Sequence, residues 1–191
     1  MQRFFTYAAK YCTLTFEEKQ FINAHTRIRR YNKHDYYQLA HEIKTNWCFV
    51  LDGVVAGVKT NLEGDKRLQW LSVKNQYFTG TKHVFSKQSL GLQLQFLQQS
   101  ELLEFPYHYI QKAQQEYPAF AELLQVLKEQ KLKCLHELIA TLKLPPEQRV
   151  QSALENLSIW VSNLHVEECC SLLNISIPTY YNGLNKYLKQ S

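Results

Sequence analysis

A long stretch of uninterrupted helical periodicity dominates the C-terminal half of this sequence. The segment AFAELLQVLKEQKLKCLHELIATLKL contains neither glycine nor proline, and Pro145-Pro146 end it. Pro118 lies just before it and suits the first position of a helix, where a backbone N–H is not needed. The pattern predicts one helix of about seven turns, which is long for a globular protein.

The apolar residues of this helix follow a heptad pattern with a wide flank. The heptad seam consists of Phe120, Leu124, Leu127, Lys131, Cys134 and Leu138. Further apolar residues flank it, namely Leu123, Leu135, Ile139 and Leu142. So wide an apolar arc needs two packing partners. We expect one to be the chain's own β domain and the other to be the same helix of a second chain, in a parallel homodimer through residues 118–142. Packing wholly within one chain stays open, because periodicity does not identify a partner.

The hydrophobic period of residues 26–105 is two, which predicts an antiparallel sandwich or barrel. The strand-like runs are TRIRRY, NWCFVL, VVAGVK, RLQWLSV and LGLQLQFL. Turn signals separate them at Asp52-Gly53 and Glu63-Gly64-Asp65. In the last run, residues 90, 92, 94 and 96 are apolar and face one way, as a half-buried strand requires.

Shorter helical patterns lie on both sides of these segments. Thr15, with Glu18 three residues later, predicts a capped helix over TFEEKQFINAH. PYHYIQKAQQEY predicts another helix before Pro118, and PPEQRVQSALENL predicts an amphipathic helix after the proline pair. SIWVS is interpreted as an apolar connector, followed by two short helices, VEECCSLL and IPTYYNGLNKYLKQ.

Composition indicates a globular chain of 191 residues with 45% apolar residues. Its five cysteines are odd in number and lack metal-ligand spacing, so we expect reduced thiols. The N-terminal apolar run is broken by Lys10, and no later stretch has the length of a membrane span. We therefore expect a cytoplasmic protein with no membrane partner.

The positive charge is unevenly distributed along the chain. Residues 145–191 hold three Lys and Arg against four Glu, a net charge of −1. Residues 1–144 have a net charge of +6, which gives the chain its total of +5. A nucleic-acid-binding segment normally has a basic face, because neutralising phosphates provides most of the non-specific affinity. This imbalance weighs against strong DNA binding by the C-terminal segment.

The order of these elements resembles the Crp/Fnr family of cyclic-nucleotide-receptor-like transcription regulators. The segments that carry the likeness are WCFVLDGVVAGVKTNLEGDKRLQWL, SELLEFPYHYIQKAQQEYPAFAELLQVL, LPPEQRVQSALENL and CCSLLNISIPTYY. They are similar to the family's paired strands, its last roll strand and hinge into the dimerisation helix, its Pro-x-Glu-x-Arg helix and its helix-turn-helix. The resemblance implies an α+β fold with an antiparallel β-roll sensor domain (1–117), a dimerisation helix (118–144) and a helix-turn-helix domain (145–191). It also implies a homodimer that binds DNA and responds to an effector.

The effector segment departs from the family pattern. In cyclic-nucleotide-binding members a Gly-Glu pair holds the ribose and a downstream Arg pairs with the phosphate. FTGTKHVFSKQSLGLQL has Thr81 in place of the Glu, and Gln88 or Leu90 in place of the Arg. We therefore expect no cyclic nucleotide bound in the family's manner, although Lys82 and Lys87 are candidates for another anion. The resemblance places an effector pocket, for an unknown small ligand, at Gly80, Thr81, Lys87, Gln88 and Ser89.

The helix-turn-helix departs from the family on its outward side only. Cys170 suits the crossing of the helices, Asn174 suits a turn residue with positive φ, and Tyr180 with Leu184 suits the buried anchors. The family's base-reading positions correspond to Ile177-Pro178, which offer no hydrogen bonds to bases, and to Tyr181-Asn182. The DNA-binding residues implied here are Tyr181, Asn182, Lys186 and Lys189, and we expect weak, salt-sensitive binding.

Other functions have little support in the sequence. The seven histidines form no His-x-His pair, and His41-Glu42 lacks the second histidine of a zincin. No Gly-x-Ser-x-Gly or phosphate loop occurs, and Cys12 stands alone where iron-sulfur members of the family cluster cysteines. We expect no enzyme, metal or cofactor. Aromatic residues in strands usually belong to the core. The alternative that some of them line a pocket for an apolar effector stays open. A sensor or dimerisation module that has lost DNA readout is the alternative function.

Overall fold

The computed structural model describes residues 1–61 and 64–190, the last by its backbone only. Two four-stranded antiparallel sheets face each other, with strand orders β1-β8-β3-β6 and β2-β7-β4-β5. The strands are β1 Arg27–Tyr31, β2 Tyr36–Gln38, β3 Asn46–Asp52, β4 Val54–Thr60, β5 Lys66–Val73, β6 Tyr77–Thr79, β7 Gln93–Phe96 and β8 Ser100–Pro106. The helices are α1 Gln2–Ala8, α2 Phe16–His25, α3 Tyr107–Glu116, α4 Pro118–Lys143, α5 Pro146–Asn156, α6 Ser158–Val161, α7 Val166–Leu173 and α8 Ile177–Gln190.

The predicted strands over residues 26–105 are confirmed, with three differences. Strand β7 begins only at Gln93, because Gly91 has a φ of 68° that interrupts the extended backbone. Strands β2 and β6 have three residues each and were not predicted, since runs this short carry no clear alternation. Their pairing with β7 and β3 completes the two sheets.

The predicted turn glycines adopt the backbone conformation that glycine permits. Gly53 and Gly64 both have a φ of 90°, which is strained for any residue with a Cβ atom. Gly53 joins β3 to β4, and Gly64 lies between β4 and β5. Glu63, the first residue of the second predicted turn signal, lies outside the described residues.

The predicted cap of α2 is present and also holds the long helix. Glu18 accepts a hydrogen bond from the Thr15 backbone N–H at 2.7 Å, and the Thr15 hydroxyl accepts one from the Glu18 N–H at 3.2 Å. The second oxygen of Glu18 accepts a hydrogen bond from the Phe120 N–H at 3.2 Å. One buried carboxylate therefore caps the N-termini of both α2 and α4.

Helix α4 packs its heptad seam against its own chain. Phe120, Leu124 and Leu127 lie in a core built from α1, α2, α3 and the β3/β8 side of the first sheet. Leu138 lies in a second core, with strands β4 and β5 and the C-terminal helices. These four side chains are at most 8% exposed. The seam therefore packs within its own chain, which is the alternative that the heptad periodicity left open. These four buried side chains are not available to a second chain.

The C-terminal segment packs on the second sheet. Trp160 is fully buried in the core that contains Leu71 and Val73 of β5. The segment SIWVS, interpreted as a connector, is the one-turn helix α6, which turns Trp160 inward. Among the described residues, none of the helices combines the length and the apolar composition needed to cross a bilayer.

Candidate functional sites

A helix-turn-helix unit forms from α7, the turn at Asn174 and α8. Asn174 has φ and ψ of 51° and 55°, which confirms the predicted left-handed turn residue. Cys170 is 7% exposed, as the helix crossing requires. Tyr180 and Leu184 are half-buried on the inner side of α8. The residue types and spacing that predicted a helix-turn-helix are therefore accompanied by the backbone conformation of that motif.

Both helices of the unit begin at side-chain caps. Glu168 accepts a hydrogen bond from the His165 N–H at 2.8 Å, and the Ser176 hydroxyl accepts one from the Thr179 N–H at 3.3 Å. Pro178 is the second residue of α8, where it removes no helical hydrogen bond. The predicted compatibility of Pro178 with this helix is confirmed.

Arg149 fastens the turn of the motif to α5. Its Nη1 donates to the carbonyl oxygens of Leu173 and Asn174 at 3.1 and 3.0 Å, and its Nε donates to that of Leu144 at 2.9 Å. These bonds satisfy carbonyls that the ends of α7 and α4 would leave unpaired. The Pro-x-Glu-x-Arg pattern in the sequence includes Arg149. Its role, however, depends on hydrogen bonds to residues at the ends of α4 and α7, which the pattern does not contain.

Gly183 sets the distance between α8 and α5. A Cβ atom on this residue would lie 2.8 Å from Cβ and 2.9 Å from Cγ2 of Val150. Gly183 is buried, and both helices have regular backbones here. The glycine therefore permits close helix packing, a role that its position in the sequence did not indicate.

The implied DNA-binding residues lie together on the outer side of α8. Asn182, Lys186 and Lys189 are exposed at helical spacing, and Tyr181 beside them is 49% exposed. None of the five ion pairs found within residues 1–61 and 64–190 includes either lysine. Ile177 and Leu188 are also exposed on this helix. The exposed surface of α8 thus combines two cations with amide and apolar groups.

Helix α7 and the turn are held against the chain's own edge strand β5. The Leu68 N–H donates to the Ser171 hydroxyl at 3.1 Å, and the Arg67 guanidinium donates to the Asn174 side-chain oxygen. Nearby, the Gln98 side chain donates to the carbonyl oxygen of Asn163 at 2.9 Å. The contacts fix the position of the helix-turn-helix relative to the β-roll and leave the outer side of α8 exposed.

The residues implied as an effector pocket have mainly structural contacts. Thr81 is fully buried, and its hydroxyl lies 2.8 Å from that of Tyr107. Ser89 donates to the Ala40 carbonyl, and Gly80 is buried where a Cβ atom would collide with the Lys44 carbonyl. Lys87 and Gln88 are exposed, and Gln88 accepts a hydrogen bond from Lys82. None of the five residues is among those that line the cavity described below.

Aromatic and aliphatic side chains fill the space between the two sheets. Tyr37 and Phe96 of one sheet meet Cys48, Phe78 and Leu102 of the other, and all five are at most 2% exposed. The rings pack in specific pairs, for example Tyr37 with Phe78 at a centroid distance of 5.2 Å. This part of the β-roll is therefore a packed core.

A cavity of about 660 Å³ lies instead between the β-roll and the long helix. Trp47, Trp70 and Phe78 from the strands face Leu124, Leu132 and Leu135 of α4 across it. Val84, Phe85 and Leu90 from the segment between β6 and β7 also line it. Its size is within the range of roughly 300–1,000 Å³ that is usual for small-molecule sites. The sequence left open whether some aromatic residues of the strands line a pocket. Trp47 and Trp70 do so.

Lys131 lies in the wall of this cavity and points inward, toward the β-roll. Its Nζ donates to the Leu71 carbonyl at 2.6 Å and to the Ser72 hydroxyl at 2.8 Å. It lies 4.2 Å from the ring centroid of Trp70 and 5.7 Å from that of Trp160. Burial lowers the pKa of the Lys131 ammonium to about 7. Like the buried members of the heptad seam, Lys131 faces its own chain.

Gln76 connects this region to the C-terminal segment. Its Oε1 accepts a hydrogen bond from Trp160 Nε1 at 2.9 Å, and its Nε2 lies 3.6 Å from the Cys134 sulfur. We call Gln76, Lys131, Cys134 and Trp160 the Lys131 junction. It is the place where the second sheet, the long helix and α6 meet, next to the cavity.

Comparison with known proteins identifies the fold. No protein-family model matches the sequence, and no curated protein matches it. The structure is similar to that of the global regulator CLP from Xanthomonas campestris, described as responsive to c-di-GMP, with a TM-score of 0.68, 16% identity and coverage of 90% of this chain and 91% of CLP. For FixK2 from Bradyrhizobium japonicum the TM-score is 0.69, the identity 14%, and the coverage 86% and 85%.

A cyclic nucleotide-binding domain containing protein from Listeria monocytogenes is also similar, with a TM-score of 0.70, 12% identity and coverage of 92% of this chain and 86% of that protein. At these identities the comparisons show a common fold. They confirm the predicted fold class, a β-roll followed by a long helix and a C-terminal helical segment.

Proposed function

We propose that this chain is a divergent transcription regulator of the Crp/Fnr type, without catalytic activity, that acts in the cytoplasm. The observation that carries this proposal is a complete helix-turn-helix whose second helix is exposed on its outer side. It follows a β-roll and a long helix, an arrangement similar to that of the global regulator CLP and of FixK2. Residues 1–117, 118–144 and 145–191 serve as the sensor, the dimerisation helix and the DNA-binding domain.

DNA binding is proposed to be weak and strongly dependent on salt. Lys186 and Lys189 are the cations of α8, so few phosphates are neutralised. Asn182 has the side-chain amide that pairs with adenine, and Tyr181 reaches a phosphate or a thymine methyl group. Ile177 and Pro178 add no base-reading hydrogen bonds. Affinity therefore depends on a small number of contacts.

Dimerisation is proposed to use the side of α4 that its own chain does not cover. Leu132 and Ile139, which we call the outward pair, are 37% and 51% exposed and lie two turns apart, and Leu132 is also one of the residues that line the cavity. Leu135 and Leu142 are half-buried beside them. A second copy of the helix, packed in parallel on this side, would bury the outward pair from both chains.

The sensor is proposed to bind its effector in the cavity between the β-roll and α4. Cyclic nucleotides in the family's manner are disfavoured, because the arginine that pairs with the phosphate is missing and aromatic side chains fill the space between the sheets. Calorimetric titration with cyclic AMP or cyclic GMP should therefore give no saturable heat at micromolar concentrations.

Fluorescence anisotropy with labelled genomic DNA fragments tests the proposal. We expect binding at low salt that falls steeply at physiological salt, with Lys186→Ala reducing the logarithmic salt slope by about one unit. Asn182→Ala should weaken binding to preferred fragments more than binding to random DNA. Lys59→Ala, an equal loss of charge at an exposed position on the β-roll, serves as the control.

Two results would contradict this assignment. Tight binding at physiological salt that survives both Asn182→Ala and Lys186→Ala would move the interface away from α8. A complete lack of DNA binding at low salt would support the alternative function, a sensor or dimerisation module that acts through a protein or small ligand.

A further inference from the structure

The cavity between the β-roll and α4 has an unusual combination of walls. Most of its lining is aromatic or aliphatic, yet Lys82, Lys128 and Lys131 also line it. The described residues that line it include no Asp or Glu. An apolar interior with cationic groups and no acid is complementary to a ligand with an apolar body and a negative charge.

Lys131 is the cation that most clearly lacks a counter-ion. None of the ion pairs within the described part of the chain involves it. Its Nζ has two neutral acceptors, the Leu71 carbonyl and the Ser72 hydroxyl, and lies above the Trp70 ring. A buried charge is costly without a partner of opposite sign, so an acid group at this point would gain more than it does in water.

We propose that the cavity binds a small organic acid with a mainly aromatic or aliphatic body, whose anionic group pairs with the Lys131 ammonium. This inference rests on the proposed sensor function, since it assigns the chemical class of the effector. The strand residues and leucines that line the cavity contact the apolar body. Lys82 and Lys128, which are exposed, stand at the outer part of the same site.

The position of Lys131 also connects the ligand to the C-terminal segment. Its ammonium lies 5.7 Å from the centroid of the Trp160 ring, and Cys134 and Gln76 complete the Lys131 junction. An anion that draws the ammonium toward the cavity weakens its bonds to Leu71 and Ser72 of β5, the strand that α6 contacts. Ligand binding would thus change the contact between the β-roll and the helix-turn-helix segment.

A pair of matched probes tests the ligand class without DNA. The sulfonate 1-anilinonaphthalene-8-sulfonate and the neutral N-phenyl-1-naphthylamine share one aromatic skeleton. Titrated at slightly acid pH and followed by fluorescence, the purified protein should bind one sulfonate per chain, about tenfold or more tighter than the neutral probe, as a charge-assisted contact predicts. Equal affinities, or sulfonate binding that does not saturate, would overturn the proposal.

Variants locate the anionic group. Lys131→Met should weaken sulfonate binding by about tenfold and leave the neutral probe unchanged, whereas Lys133→Met, which removes an exposed charge outside the cavity, should affect neither. Lys128→Met changes an exposed residue, so it keeps the fold even if Lys131→Met does not. Because Lys128 also lines the cavity, we expect this variant to lose roughly threefold in sulfonate affinity. Undiminished sulfonate binding by folded Lys131→Met would refute the site. Because no DNA is present, failure of the DNA-binding proposal leaves this result unaffected.

Discussion

The two sides of α4 differ in what covers them. On the inward side, Leu127 and Leu138 are 1% and 4% exposed because the β-roll and the C-terminal helices pack on them. On the other side, the outward pair is 37% and 51% exposed. The regular heptad spacing belongs to the covered side. Such spacing identifies a helix face that packs, but it does not say whether the partner is the same chain or another one.

A charge placed on the covered side should have the largest effect. Leu127→Glu buries a carboxylate without a partner in the first core, so we expect a loss of about 4 kcal/mol or more in the free energy of unfolding. Urea denaturation followed by circular dichroism measures this. Lys133→Glu, at an exposed position of the same helix, should change it by less than about 1 kcal/mol. Comparable losses in the free energy of unfolding for the two variants would mean that the two sides of α4 do not differ in how they are covered.

Charges on the outward side should separate subunits without unfolding them. Leu132→Glu with Ile139→Glu places four carboxylates in the proposed dimer contact, and we expect dimer affinity to fall by about a hundredfold or more. Light scattering should show monomers, while the far-ultraviolet circular dichroism stays that of the wild type. A double variant that remains dimeric would show that the outward pair is not the interface.

The charged member of the covered side should make stability depend on pH. The pKa of Lys131 is lowered from 10.5 to about 7, so between these values the unfolded chain binds more protons than the folded chain. Stability contributed by this group therefore rises with pH in that window. Relative to Lys131→Met, the wild type should gain roughly 2 kcal/mol between pH 7 and pH 9, by urea denaturation at each pH. Since the two proteins share every other titrating group, parallel curves would contradict the burial of the ammonium.

Helix α8 offers the same contrast of sides, with the smallest expected effect. Gly183→Ala adds a methyl group against Val150, and its overpacking cost of roughly 1–3 kcal/mol exceeds the gain of up to about 1 kcal/mol in helix propensity. A net loss of about 1 kcal/mol is expected in thermal unfolding. Asn182→Ala, on the outer side, should be neutral or slightly stabilising. If Gly183→Ala also stabilised the protein, the close approach of α8 to α5 would be disproved.

The sequence by itself determined the elements whose signals are local. The period of two between residues 26 and 105, the cap at Thr15, the limits of α4 and the left-handed turn at Asn174 are all present in the structure. Each depends on residues within a few positions of one another, because side-chain alternation, capping and backbone preference act over one or two turns. The resemblance of the element order to a known architecture could therefore be seen before any contact was known.

Tertiary structure alone decided which residues meet. It turned Lys131 toward β5, brought Gln76 to Trp160, set Val150 against Gly183 and formed a cavity between the β-roll and α4. It also formed the short elements β2, β6 and α6, which carry no periodic signal of their own. These features depend on packing between segments far apart in the chain, where shape and the desolvation of each polar group select the partner, and no local pattern records that selection.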